Sequence, residues 1–395
     1  MKYSLAHIAD IVGSLSVASD ISFEHLLLDS RKVYSPLNSL FFALKGPRRD
    51  GHQFIPELYK KGVRSFVVSE EQDILIYPEA IFIKVSDTLV ALQQIAIHHR
   101  SLFDKPVIGI TGSNGKTIVK EWLYQLLQEE YHIVRSPKSY NSQIGVPLSV
   151  WQMDEQHTLG IFEAGISKHG EMETLEKIIQ PTIGVLTNIG EAHSEGFIDQ
   201  AQKLKEKLKL FTHCQLLIGR ETDIAGQKKL IESFESKTEG KPAILTWGTS
   251  PNNDLVVKHI DKKEKFTAIT VCPGSAEKEF IIPFTDDASI ENAITCYFVL
   301  LQFGISHDIV SEKMKHLQPV NMRLELKKGI NHCMLINDSY SADINSLEIA
   351  LNFLDQQSGY TKKTVILSDV LQSGRKDEQL YLYIIERLKI GRAHV

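Results

Sequence analysis

The chain has 395 residues, 43% hydrophobic and 24% charged, with a formal net charge of −5. This fits a globular protein with ample core and two or three domains of roughly 100–200 residues each. The balance of charge gives no general basic surface, so nucleic acid is not an expected partner. No apolar run reaches the roughly 18 residues of a membrane-spanning helix.

Three segments are predicted. Residues 1–104 hold short β-like runs, "SLFFAL" and "RSFVVS", among polar turns and short helices. The opening "MKYSLAHIADIVGSLSV" carries His7 and Asp10 inside its apolar part and lacks a signal-peptide core. Residues 105–318 alternate strands with helices. "PVIGITG", "TLGIFEAG", "TIGVLTNIG" and "CQLLIGR" are apolar runs suited to buried parallel strands. Between them lie the helical stretches "TIVKEWLYQLLQEE", "GEMETLEKIIQ" and "DQAQKLKEKLKLF". Residues 319–395 begin a third α/β unit after Pro319, with strands in "HCMLINDSY" and "KKTVILSDV" and a helix in "SADINSLEIALNFLDQQ".

The alternation predicts an α/β fold with a central doubly wound, mostly parallel sheet and ligands at the carboxyl ends of its strands. The four cysteines, Cys214, Cys272, Cys296 and Cys333, are widely spaced. Neither a zinc site nor a disulfide framework is expected, and a reducing cytoplasm is the simplest reading. The chain stops on "KIGRAHV" in mid-helix pattern. "IGRAHV", residues 390–395, reads as translated sequencing adapter, and the true reading frame is expected to continue.

"GITGSNGKT" carries the first chemistry. Gly112, Ser113, Asn114 and Gly115 allow a tight turn whose N–H groups can face an anion. The helix from about Thr117 adds its N-terminal dipole. Lys116 can reach β- and γ-phosphates, and the Thr117 hydroxyl can ligate Mg²⁺. The common P-loop wants a Gly where Ile110 stands. Glu163 ends an apolar strand, where a carboxylate beside a phosphate loop is a reasonable Mg²⁺ ligand. Taken alone, such a Glu is more often solvated, and His193, after "GVLTNIGEA", is more often structural.

As an ordered set these features resemble the Mur ligase family, the ATP-dependent amide-forming enzymes of peptidoglycan synthesis. That family's shorter loop, Gly-x-x-Gly-Lys-Thr or Ser, fits Gly112 to Thr117. Its Asn-rich stretch is similar to "NSQIGVP", beginning at Asn141, with Ser142 a departure. The resemblance implies magnesium ligands at Glu163 and His193 and a carbamylated lysine at Lys207. It implies an adenine contact at Asn292, in "IENAITCYF", and ATP contacts at Arg323 and Asp338. Lys116, Glu163, His193 and Lys207 become the catalytic set, with ATP and Mg²⁺ as cofactors.

"LLLDSRKVYSPLNSLFFALKGPRRDGHQFI" looks like a UDP-binding domain, with Ser30, Arg31, Lys45, Asp50, Gly51 and His52 as candidate contacts. "TGSNGKTIVKE" and "NDSYSADINS" resemble the branch that joins D-alanyl-D-alanine to UDP-N-acetylmuramoyl-tripeptide. Asn337 and Ser341 depart from that branch's pattern. The resemblance implies three domains, a small N-terminal α/β domain, the central sheet and an incomplete Rossmann-like third domain. It implies small-molecule substrates, no nucleic acid, no membrane insertion and a monomer. In some bacteria an alanine racemase follows such a ligase, and that arrangement stays open. So do a tripeptide-forming Mur ligase, a folylpolyglutamate synthase-like ligase and a catalytically silent nucleotide-binding homologue.

Overall fold

The computed structural model describes residues 2–14, 21–46, 49–189, 197, 199–224, 226, 231, 242–340, 343–357, 362–370 and 377–390. His193, Ser341 and the terminal residues 391–395 lie outside the described residues. The chain forms two compact units. The first is Met1–Asp104 with Ser142–Gln156 and Lys177–Ile179; the second is Lys105–Asn141, His157–Glu176 and Gln180–Val395.

In the first unit, β1 (Tyr3–Ser4) pairs antiparallel with β2 (Ser22–Phe23). Four parallel strands follow in chain order: β3 (His25–Leu27), β4 (Ser39–Phe42), β5 (Ser65–Val68) and β6 (Ile81–Lys84). Strands β4 and β5 are buried throughout, which explains their unbroken apolar runs. Their side chains alternate between two cores. Leu40, Phe42 and Val67 meet Ala91, Leu92 and Ile95 of the helix Thr88–Ser101. Phe41, Phe66 and Val68 meet Ile55 and Leu58 of the helix Ile55–Lys60. Asp87 starts the longer helix by accepting from Leu89 N at 2.7 Å and Val90 N at 3.1 Å. The segment Ser142–Gln156 belongs to this unit through Trp151, which stacks on Phe23 and donates to Glu24 O at 2.9 Å.

The second unit is built on nine strands. They are β7 (Val107–Thr111), β8 (Ile133–Arg135), β9 (Leu159–Glu163), β10 (Ile183–Leu186), β11 (Leu216–Arg220), β12 (Ala243–Gly248), β13 (Leu255–Lys262), β14 (Thr267–Pro273) and β15 (Lys278–Ile282). Their order is β15-β14-β13-β12-β11-β10-β7-β9-β8. Pairing is parallel from β8 to β13 and antiparallel across β13, β14 and β15. The four predicted strands are all present, and the expected α/β class holds. The antiparallel extension and β8 are additions to the sequence reading.

One face of this sheet is covered by the helices Lys116–Leu127 and Asp287–Gln302. Val119, Trp122, Leu123 and Leu126 pack with Ile290, Ala293, Ile294 and Tyr297 over Ile108, Ile110, Ile161 and Val185. Each fully buried aliphatic side chain contributes about 1.5–3 kcal/mol. No described helix is long and apolar enough to cross a membrane.

Toward the C-terminus, β16 (Glu325–Lys328) and β17 (Met334–Asn337) form an antiparallel hairpin. The helices Ile344–Gln356 and Asp377–Ile390 share a small core of Ile344, Leu380, Ile384 and Leu388. The strand predicted in "KKTVILSDV" is not formed: residues 362–370 run mostly irregular, with Ile366 93% exposed. An apolar β-branched run becomes a strand only with a paired neighbour, and among the described residues the hairpin β16–β17 forms a two-stranded sheet.

Candidate active site

Strand β7 delivers the loop Gly112–Gly115, and the next helix starts at Lys116. Gly112 has φ +151° and Gly115 +83°. A Cβ at Gly112 would lie 2.0 Å from Thr187 Oγ1, and one at Gly115 would lie 2.4 Å from Asn292 Oδ1. Only glycine fits either position. The loop is pinned by the residues following β10. Ser113 N donates to Asn188 O at 2.8 Å, and Asn114 N to Asn188 Oδ1 at 2.9 Å. Thr187 Oγ1 donates to Asn114 O at 2.5 Å. Two loop N–H groups are thereby engaged within the protein. The helix behind has no side-chain cap, so its first-turn N–H groups form the available anion cradle.

Lys116 Nζ folds onto the loop, donating to Gly112 O at 2.9 Å and Ser113 O at 3.0 Å. Burial holds its pKa below the usual lysine value. Lys207 lies on the helix Gln200–Leu208 and is 2% exposed. Its Nζ donates to the same Gly112 carbonyl at 2.9 Å. Burial first, then the nearby Lys116 and Lys203, pull its pKa well below the ordinary lysine value. The sequence places Lys207 95 residues from Gly112; the fold makes them neighbours.

Glu163 closes β9 with its side chain fully buried. Its Oε2 accepts from Thr117 Oγ1 at 2.9 Å, and its Oε1 lies 3.3 Å from Lys120 Nζ. Ser139 Oγ is 3.0 Å from Thr117 Oγ1 and accepts from Arg323 Nη2 at 3.4 Å. Thr117 and Glu163 thus present two hard oxygens side by side next to the phosphate cradle, which fits Mg²⁺. Asn114 Oδ1 accepts from Ser346 Oγ at 3.3 Å.

Arg323 lies over the Tyr340 ring at 4.3 Å. Asp338 follows β17 and accepts from Leu324 N at 3.1 Å. Burial pushes the Asp338 carboxyl up to about 6. A raised carboxyl favours the folded state below its unfolded pKa, and that contribution is lost as pH rises through about 6. Asp338→Asn is therefore expected to flatten the fall in melting temperature between pH 4 and 6. An unchanged profile would place the titration elsewhere.

The N-terminal candidates divide. Lys45, Asp50 and His52 come together with Glu70, which the sequence did not suggest. Lys45 Nζ lies 3.8 Å from Asp50 Oδ2 and pairs with Glu70. A Cβ on Gly51 would stand 2.6 Å from Leu44 N, so the turn needs glycine. Asp50, His52 and Glu70 are close enough to suggest a metal, but His52 is committed elsewhere. Its Nε2 accepts from Ser69 N at 3.0 Å, so Nδ1 carries the proton that reaches Asp50 Oδ1 at 2.6 Å. Neither ring nitrogen offers a lone pair. Arg31 is separate and exposed, held by Asp29 through two bonds of 2.8 and 2.9 Å. Ser30 O accepts from Lys61 Nζ at 2.8 Å. Asn141 lies in the second unit, with its carbonyl accepting from Gly165 N at 2.8 Å beside β9.

Sequence reasoning assigned no role to Lys120, Ser139, Thr187 or Asn188. Lys120 follows Thr117 by three residues, so helical spacing puts it on the same face. That was the available signal, though a helix lysine ordinarily reads as solvated.

Residues 110–300 match the Mur ligase middle domain, and residues 22–100 match the catalytic domain of the Mur ligase family. Over 359 residues the chain is 31% identical to the UDP-N-acetylmuramoyl-tripeptide–D-alanyl-D-alanine ligase of Bacillus subtilis (strain 168), covering 89% of this chain and 75% of that one. Its fold is similar to a crystal structure of MurF from Acinetobacter baumannii, with TM-score 0.82, 22% identity and coverage of 96% and 82%. MurF ligase from Thermotoga maritima, solved in complex with ADP, gives TM-score 0.78 at 23% identity, with coverage of 92% and 82%. With a relative this similar over three quarters of its length and both domains matched, the chain belongs to the Mur ligase family.

Proposed function

We propose that this protein joins D-alanyl-D-alanine to UDP-N-acetylmuramoyl-tripeptide in the cytoplasm, converting ATP to ADP and phosphate during peptidoglycan precursor synthesis. The observation that carries the site is the convergence of Lys116 and Lys207 on one loop carbonyl, beside the Thr117–Glu163 oxygen pair. Residues 1–104 hold the UDP end of the donor, residues 105–318 hold ATP, and residues 319–395 close over the nucleotide.

A carboxylate does not condense with an amine in water near neutrality. The substrate carboxylate attacks the γ-phosphorus, the bond to the β-phosphate oxygen breaks, and ADP leaves. The amine of the dipeptide then attacks the acyl phosphate carbon, loses a proton, and phosphate departs. Two anions must approach in the first step, so fixed positive charge dominates the catalysis. Lys116 swings from the loop carbonyls to the β- and γ-oxygens. Thr117 and Glu163 would hold Mg²⁺, which would supply neutralisation of phosphate charge. Arg323 and Asp338 contact the nucleotide, and Asn292, set against Gly115, contacts its adenine.

Lys207 is suited to carbamylation. Burial lowers its pKa well below the ordinary lysine value and so favours the neutral amine, which can attack CO₂, forming an N–C bond and releasing a proton. The product is an anion, able with His193 to serve a second cation where a protonated lysine would repel it. Ser30, Arg31, Lys45, Asp50, Gly51, His52 and Asn141 serve the UDP-substrate.

Phosphate release by the full chain tests the reading. Release should require ATP, UDP-N-acetylmuramoyl-tripeptide and D-alanyl-D-alanine together. Release only with a dipeptide-stage donor and a free diamino acid would assign the chain to the tripeptide-forming step instead.

A further inference from the structure

Lys120 is a buried charge that the chemistry above leaves unused. Its side chain is fully buried on the helix Lys116–Leu127. An ammonium offers three donors, and here oxygens surround it. Ser136 O lies at 2.7 Å, Glu163 Oε1 at 3.3 Å and Glu121 Oε1 at 3.1 Å, and the Lys138 carbonyl also accepts. A lysine is held at this depth only where such partners replace water.

Two consequences bear on Thr117. By holding Glu163 Oε1, Lys120 leaves Oε2 as the oxygen that faces the Thr117 hydroxyl. By holding the carbonyls of Ser136 and Lys138, it also fixes the turn that carries Ser139. Lys138 has φ +50° there, a conformation that non-glycine residues adopt under constraint. Ser139 Oγ stands 3.0 Å from Thr117 Oγ1. One ammonium thus sets both polar walls around Thr117.

We propose that Lys120 is a positioning residue of the magnesium–nucleotide site, fixing Glu163 so that a single carboxylate oxygen faces Thr117. The inference rests on the ligase reading above. Such a site offers the cation few protein oxygens, and Mg²⁺ commonly binds through one or two carboxylates plus substrate phosphates. Lys120 therefore matters for the metal that arrives with nucleotide, and not for nucleotide binding itself.

Calorimetric titration of the full chain with ADP, with and without Mg²⁺, separates these. K120M should bind metal-free ADP as the wild type does. The tightening produced by Mg²⁺ should fall by about tenfold or more, as for other residues that orient a metal ligand. K120Q keeps an amide donor for the turn carbonyls and should show the same metal-specific loss. Equal weakening with and without Mg²⁺ would overturn the assignment, since a merely structural role moves both. Failure of both variants to fold would also overturn it. If the wild type bound no ADP at all, the ligase reading would fall and this assignment with it. A normal wild type with a K120M that keeps the full Mg²⁺ tightening overturns the assignment alone.

Discussion

Lys207→Ala is expected to lower phosphate release by about 10–100-fold, as loss of a group that supports a metal does. Acetate or formate should restore part of that activity by supplying a small anion in the vacated space. Lys207→Arg should stay inactive with either supplement, because guanidinium is always charged and fills the site. Folding should survive in the alanine variant. Among the described residues Lys207 makes one hydrogen bond, to Gly112 O, and burial disfavours the charged form of its amine. Removing such a group costs far less than removing one member of an ion pair. Full activity of the unsupplemented variant would exclude a catalytic role for Lys207.

Glu163→Gln should act on stability as well as on turnover. The buried ammonium of Lys120 would keep its carbonyl partners and the Glu121 carboxylate at 3.1 Å but lose the fully buried carboxylate 3.3 Å away. Leaving one member of a buried pair without the other costs about 3–5 kcal/mol. A lower denaturant midpoint with an unchanged slope is the expected readout. Adding Lys120→Met to Glu163→Gln should recover part of the loss, because the buried ammonium that lost its Glu163 partner is then gone. A single-variant loss below about 1 kcal/mol would show that the Ser136 and Lys138 carbonyls and the Glu121 carboxylate satisfy the ammonium without Glu163.

Local order made much of the site legible. Strand, glycine turn, Lys116 and Thr117 are contiguous, so their placement follows from backbone conformation. Glu163 was legible for a different reason. In a parallel sheet the carboxyl ends of strands lie on one edge, so the last residues of β7 and β9 must be neighbours. Lys207 and Asn292 came only through family resemblance, because nothing in "KLKEKLKLF" marks one lysine among several. Their burial is a tertiary fact: Lys203 and Lys207 turn inward, while Lys205 and Lys209 do not. The 362–370 strand failed for the same kind of reason, since strand propensity does not supply a partner. Likewise Arg31, singled out from the "DSR" stretch, is an exposed group already paired with Asp29.

By itself, the sequence determined the α/β class and the strand, glycine turn and helix start that carry Lys116 and Thr117, because these depend on periodicity and on residues adjacent in the chain. Only the tertiary structure decided which charges are buried and with whom. It set Lys207 against Gly112, paired Lys120 with Glu163, and committed both nitrogens of His52. Those outcomes depend on desolvation and on distances across strands, and neither is written in the spacing of residues along the chain.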